Sequence, residues 1–139
     1  MKISKIASLL NAKVHSGESL LDAEVNEACG SDMMSDVLAF VKNQAVLLSG
    51  LVNAQVVRTA DMMDMRCIVL VRNKMPTQEM IEVAEESGIV LLSTSARMYE
   101  ACGILYVNGL KASTTAALFA SAISKKGGMI YERTTCVHL

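Results

Sequence analysis

Tryptophan is absent from this chain, and aromatic residues of any kind make up only 4% of its 139 residues. Whatever core forms must therefore come from Val, Ile, Leu, Met and Ala, which the 52% apolar fraction supplies amply, so intrinsic disorder is excluded. An excess of either charge is also missing: 13 Lys+Arg face 14 Asp+Glu, for a formal charge of −1. Wrapping nucleic acid or coating an anionic membrane needs a clear cationic surplus, so neither belongs among the expected partners. No uncharged apolar window approaches the ~18 residues of a membrane-spanning helix. The opening Met1-Lys2-Ile3-Ser4-Lys5 lacks the apolar stretch of a signal peptide. The four cysteines, Cys29, Cys67, Cys102 and Cys136, stand singly with no C-x-x-C among them, which excludes a zinc ribbon or thioredoxin motif. A cytoplasmic location with free thiols acting as small hydrophobes is expected.

Catalytic motifs are equally scarce. Neither G-x-x-x-x-G-K-[ST] nor G-x-G-x-x-G occurs, and there is no G-x-S-x-G elbow. The two histidines are His15, placed in an early turn, and His138, near the end. Cys136-Val137-His138 offers two of the four ligands a structural zinc requires, so no metal or other cofactor is expected. The pairs Asp61/Asp64, Glu82/Glu85 and Glu85/Glu86 fall on outer helical faces and read as solvated surface. No enzyme is expected. The ten Met residues read mainly as core filling.

What is present is a regular alternation. Ile3, Ile6, Leu9 and Leu10 form the apolar stripe of a short helix over residues 2–11, followed by extended signals around Val14 and Val25–Cys29. Ser31 or Asp32 offers an N-cap to a helix carrying Met33, Met34, Val37, Leu38 and Val41. Then come three unbroken apolar runs, Ala45–Leu48, Cys67–Val71 and Ile89–Leu92, starting roughly 22 residues apart. Each precedes an amphipathic helix: one capped by Asn53, one capped by Thr77 and closed by Gly88, one capped within Ser93-Thr94-Ser95 and bearing Met98, Ala101, Cys102 and Leu105. Continuous apolar runs alternating with capped helices are the mark of buried parallel strands in an α/β fold. Beyond Lys111, Ser113 heads an Ala-rich helix with Ala116, Phe119, Ala120 and Ile123 on one side, then Met129-Ile130-Tyr131 as a small strand.

In an open parallel sheet, ligands gather beyond the carboxyl ends of the strands. The exits here are Ser49-Gly50-Leu51-Val52-Asn53, Arg72-Asn73-Lys74 and Ser93-Thr94-Ser95. The candidate ligand-binding residues are therefore Ser49, Gly50, Asn53, Arg72, Asn73, Lys74, Ser93, Thr94 and Ser95, a set suited to an anion, a phosphate or a nucleotide. The competing reading is that these are the caps and polar loop residues any βα protein needs.

The cadence Val46-Leu47-Leu48-Ser49-Gly50, Asn53 to Ala60, Cys67 to Arg72, Gly88 to Thr94 and Met98 to Gly103 resembles the DRTGG domain, a small module named for its motif letters. The opening helix and Ser31 to Leu38 extend the resemblance to some 110 residues, leaving the tail after Lys111 outside it. Such domains are similar in fold to the N-terminal domain of HPr kinase/phosphorylase and occur fused to CBS pairs and phosphotransacetylases. The resemblance implies a three-layer α/β/α domain over residues 1–111 with a C-terminal helical extension over 112–139. It implies a regulatory task, sensing a nucleotide or phospho-metabolite, without kinase activity, since the kinase's phosphate-binding loop lies in its other domain. No Asp-Arg-Thr-Gly-Gly string occurs; Arg72-Asn73-Lys74 stands where Thr-Gly-Gly would follow the second parallel strand, and the Asp-Arg pair would fall near Asn53-Ala54-Gln55. The expectation is a stand-alone, non-catalytic regulatory domain acting through an enzyme partner or as a homo-oligomer. The alternative is a protein-interaction adaptor or dimerisation module with no small-molecule ligand.

Overall fold

In the computed structural model, residues 1–40 and 44–112 are described. Helix α1 (Ile3–Leu9) leads into strand β1 (Lys13–Ser16), a 3-10 turn at Glu18–Leu20, β2 (Glu27–Gly30) and α2 (Met34–Phe40). The alternation then runs β3 (Ala45–Ser49), α3 (Ala54–Met62), β4 (Cys67–Leu70), α4 (Gln78–Ser87), β5 (Val90–Ser93), α5 (Met98–Val107) and β6 (Lys111–Ala112). The strands form one sheet in the order β1-β5-β4-β3-β2-β6, with β1 antiparallel to β5 and every other pairing parallel. The expected three-layer α/β architecture is thus what the chain adopts. The Ala-rich stretch, the 129–131 strand, Val41, Cys136 and His138 lie outside the described residues.

All side chains of β3, β4 and β5 are buried, which explains why these strands show no polar–apolar alternation. Successive residues nevertheless feed different layers. Val46, Leu48, Cys67, Val69, Val90 and Leu92 pack with Ile3, Ile6, Ala101 and Leu105 of α1 and α5. Ala45, Leu47, Ile68, Leu70 and Leu91 pack with Val37, Val56, Val57, Ala60, Met80 and Ala84 of α2, α3 and α4. A two-faced sheet of aliphatic side chains is what a chain without Trp can close-pack on both sides.

The helix ends follow the sequence in two cases out of four. Asn53 and Thr77 accept hydrogen bonds from the N–H groups of Val56 and Met80, and Gly88 closes α4 at φ +69°. Helix α5 differs: its N-cap is Arg97, with no side-chain cap, because Ser93 and Thr94 belong to the end of β5 and bond elsewhere. At α2, Ser31 Oγ accepts from Met33 N–H, whereas Asp32 turns away towards the next strand exit. His15 is within β1 rather than in the turn after it. Several methionines are also less central than expected: Met65 and Met80 are buried, but Met33, Met62 and Met75 are exposed. The acidic pairs on α3 and α4 are solvent-facing, as read from the sequence.

Thr77→Ala leaves one N–H at the start of α4 without its partner. It should lower unfolding stability by about 1 kcal/mol, read from urea denaturation, whereas Thr77→Ser should retain most of it.

Candidate functional site

Parallel pairing brings the ends of β2, β3, β4 and β5 to one rim of the sheet. Three interstrand steps of about 4.8 Å set the outer two of these ends roughly 14 Å apart. Antiparallel β1 begins at this rim, since Lys13 pairs with Ser93. The rim is an open shelf: Asp32, Asn53, Arg72, Asn73, Lys74 and Ser95 are exposed.

At its centre lies an ion pair that crosses a strand. Asp32, just after β2, accepts through Oδ1 from Gly50 N–H at 2.7 Å and from Ser49 Oγ at 3.1 Å. Its Oδ2 stands 3.6 Å from Nη2 of Arg72, which follows β4. The guanidinium therefore reaches over the exit of β3, and a side chain on Gly50 would collide with it: an added Cβ would sit within 3.0 Å of three guanidinium atoms. Glycine at position 50 lets the guanidinium lie this close; any side chain there would have to displace it. Both charged partners keep about half of their side-chain surface in water (49% each), so the pair can exchange with a solute.

Arg72 is set in place by its backbone. Arg72 and Asn73 both adopt φ +58°, the left-handed region, in a bend closed by Lys74 N–H donating to Val71 C=O at 3.2 Å. Arg72 N–H donates to Ala96 C=O and Asn73 N–H to Thr94 C=O, tying the exit of β4 to that of β5. The bend carries Arg72, Asn73 and Lys74 outward together.

The other sequence-derived candidates have partners within the fold. The buried Ser49 hydroxyl bonds Asp32 and accepts from Leu51 N–H, and Asn53 caps α3. Thr94 is buried, donating to Leu10 C=O at 2.7 Å and accepting from Ala96 N–H. Ser93 shares a 2.7 Å hydrogen bond with His15 Nε2 and donates to Met75 Sδ. Ser95 is exposed on the shelf. Of the nine candidates, Arg72, Asn73, Lys74 and Ser95 are exposed at the rim; Gly50 is buried with its N–H held by Asp32, and Ser49, Asn53, Ser93 and Thr94 shape the frame. Sequence reasoning missed Asp32 as a rim residue, seeing only a cap; its place directly after β2 was the available signal.

Two cavities lie away from this rim. One of about 390 Å3 is lined by His15, Gly17, Glu18, Glu85 and Gly88, and one of about 220 Å3 by Asp61, Asp64, Arg66 and Gly88. Both open at the amino ends of the parallel strands. Glu18 and Glu85 in the first, and Asp61 and Asp64 in the second, would repel an anion. The rim, with Arg72 and Lys74 exposed on it, is the better match for a phosphate.

Among the described residues, none of the three cysteines is an activated nucleophile. Burial raises the Cys67 thiol, raises Cys29 to about 11 with help from Cys102 and Asp36, and raises Cys102. These are neutral thiols at physiological pH, whereas thiol chemistry needs the thiolate. Among the described residues, no three His, Cys, Asp or Glu side chains come together to hold a metal ion.

No protein-family model matches the sequence. No curated protein matches it. Among solved structures, the fold is similar to that of the CBS and DRTGG domains of the regulatory region of a Clostridium perfringens pyrophosphatase, complexed with its activator diadenosine tetraphosphate. The TM-score is 0.61 at 13% identity, over 90% of this chain and 60% of that one. The chain thus spans three-fifths of its neighbour's length, and the likeness is one of fold. No described helix is long and apolar enough to cross a membrane.

Burial and neighbouring Lys13 hold the His15 pKa below its ordinary 6.5, so the folded chain binds this proton more weakly than the unfolded chain. Stability should be full above pH 6.5 and decline as pH falls below it. Thermal unfolding from pH 7.5 to 5 (both about one unit or more from the midpoint) should show this decline, and His15→Gln should flatten it.

Proposed function

We propose that this chain is a non-catalytic regulatory domain of the cytoplasm that binds a small phosphate-bearing molecule, a nucleotide or phospho-metabolite, at the carboxyl rim of its sheet and acts through a protein partner. The observation that carries this reading is Arg72, laid across Gly50 with Lys74 two residues on, at a water-accessible junction of parallel strand ends. An arginine fork offers a phosphate paired N–H donors, and Lys74 adds a movable charge beside it. The solved neighbour lends support of a different kind, being a regulatory region complexed with a dinucleotide activator. The resemblance to DRTGG domains agrees with such a role.

Calorimetric titration with adenine nucleotides, diadenosine tetraphosphate and acetyl phosphate should find a binder. Arg72→Ala should weaken it by about 2 kcal/mol, the scale of a charge-assisted hydrogen bond, and flat titrations would refute the reading.

One feature favours the alternative, an adaptor or dimerisation module without a small ligand. Helix α5 buries Ala101 and Leu105 yet leaves Tyr99, Tyr106 and Val107 exposed, with Gly103 between the tyrosines and open space above it. A mid-helix glycine costs about 1 kcal/mol relative to alanine and admits a close approach by another helix. If a second copy docks there, light scattering should report a dimer that Gly103→Glu converts to a monomer. An unchanged mass would remove this face from consideration.

A further inference from the structure

The Gly50 N–H and the Arg72 guanidinium are the donors an incoming anion would use, and the chain's own Asp32 carboxylate already engages both. We infer that Asp32 is an internal competitor that tunes the rim to ligands carrying two or more adjacent negative charges, a di- or triphosphate rather than a carboxylate. This rests on the rim being the binding site, as argued above, and adds what the site selects.

A monocarboxylate entering the rim can only take over the bonds that Asp32 makes: one to Gly50 N–H at 2.7 Å, one to Ser49 Oγ at 3.1 Å, and the 3.6 Å ion pair with Arg72. Exchange of one carboxylate for another yields no new bond, and the intramolecular group has the advantage of effective concentration. Asp32 adds repulsion against any anion that binds beside it. A polyphosphate differs because it is multivalent. One phosphoryl group can replace Asp32 at Arg72 and Gly50, while the next reaches Lys74, which has no ion-pair partner among the described residues. Asp32 then swings into solvent at little expense, its side chain being half exposed already. Discrimination is then built into the chain's own side chains: a weak anion is refused because Asp32 holds the place.

The Arg72–Asn73 bend reinforces the effect. Two consecutive residues at φ +58°, pinned by Ala96 and Thr94 carbonyls, fix where the guanidinium originates, so it cannot retreat from Asp32 by moving its backbone. Competition at the rim is thus decided by side-chain exchange alone.

The test uses tripolyphosphate, inorganic phosphate and acetate as probes, titrated calorimetrically into wild type, Asp32→Ala and Asp32→Asn. Wild type should bind tripolyphosphate and ignore acetate. Asp32→Ala should bind tripolyphosphate about tenfold tighter, the value of one charge-assisted contact released, and should now take up inorganic phosphate and acetate. Asp32→Asn removes the charge with little change of shape, guards against a folding defect in the alanine variant, and should gain less than Asp32→Ala. Tripolyphosphate binding that is equal or weaker in both variants, with wild type intact, would overturn the competitor role and leave the anion rim standing. No binding by any of the three proteins would overturn both.

Discussion

Parallel hydrogen bonding between β2, β3, β4 and β5 is the constraint from which the rest of the molecule follows. It obliges each strand to leave the sheet on the same side and each connection to return across a face, which sets the helices in two outer layers. It also forces three strand exits and the Ser31-Asp32 turn into one neighbourhood, although they are far apart in the chain. A site made of Asp32, Gly50 and Arg72 exists only because of that enforced convergence.

Within the neighbourhood, geometry and charge are tightly coupled. Gly50 lacks a side chain, so Arg72 can lie over it; Arg72 lies over it, so Asp32 has a cation to face. Asp32 in turn satisfies the Gly50 N–H at the exit of β3, a backbone group that no neighbouring strand takes up. The Gly50 N–H and the Arg72 guanidinium thus already have an anionic partner within the chain, while Lys74 has no ion-pair partner among the described residues.

Most of the architecture was legible because β3, β4 and β5 are covered on both faces, and double coverage writes itself as unbroken apolar runs. Asn53, Thr77 and Gly88 were legible because capping is a local matter of one side chain or one left-handed residue. The start of α5 was not, since Thr94 is drawn to the Leu10 carbonyl, a partner 84 residues distant. The bend at Arg72-Asn73 was hidden for a different reason: bends of this kind usually advertise themselves with glycine, and here long-range bonds to Ala96 and Thr94 impose the conformation on Arg. Asp32 was seen as a cap because its residue type invites that role, whereas its true partners lie on the next strand exits. In each case the missing knowledge was of contacts across the sheet, which no window of sequence contains.

The two ends of the sheet are finished differently. On one flank β1 slips register between Val14 and Ser16 and begins with an exposed Lys13; on the other, β6 carries exposed Lys111. The kinked border, bearing an ammonium group, makes a poor template for strands from neighbouring molecules. Beside central strands so rich in aliphatic side chains, a straight, uncharged flank would invite ribbon-like polymerisation, and the bulge and lysine of β1 work against it.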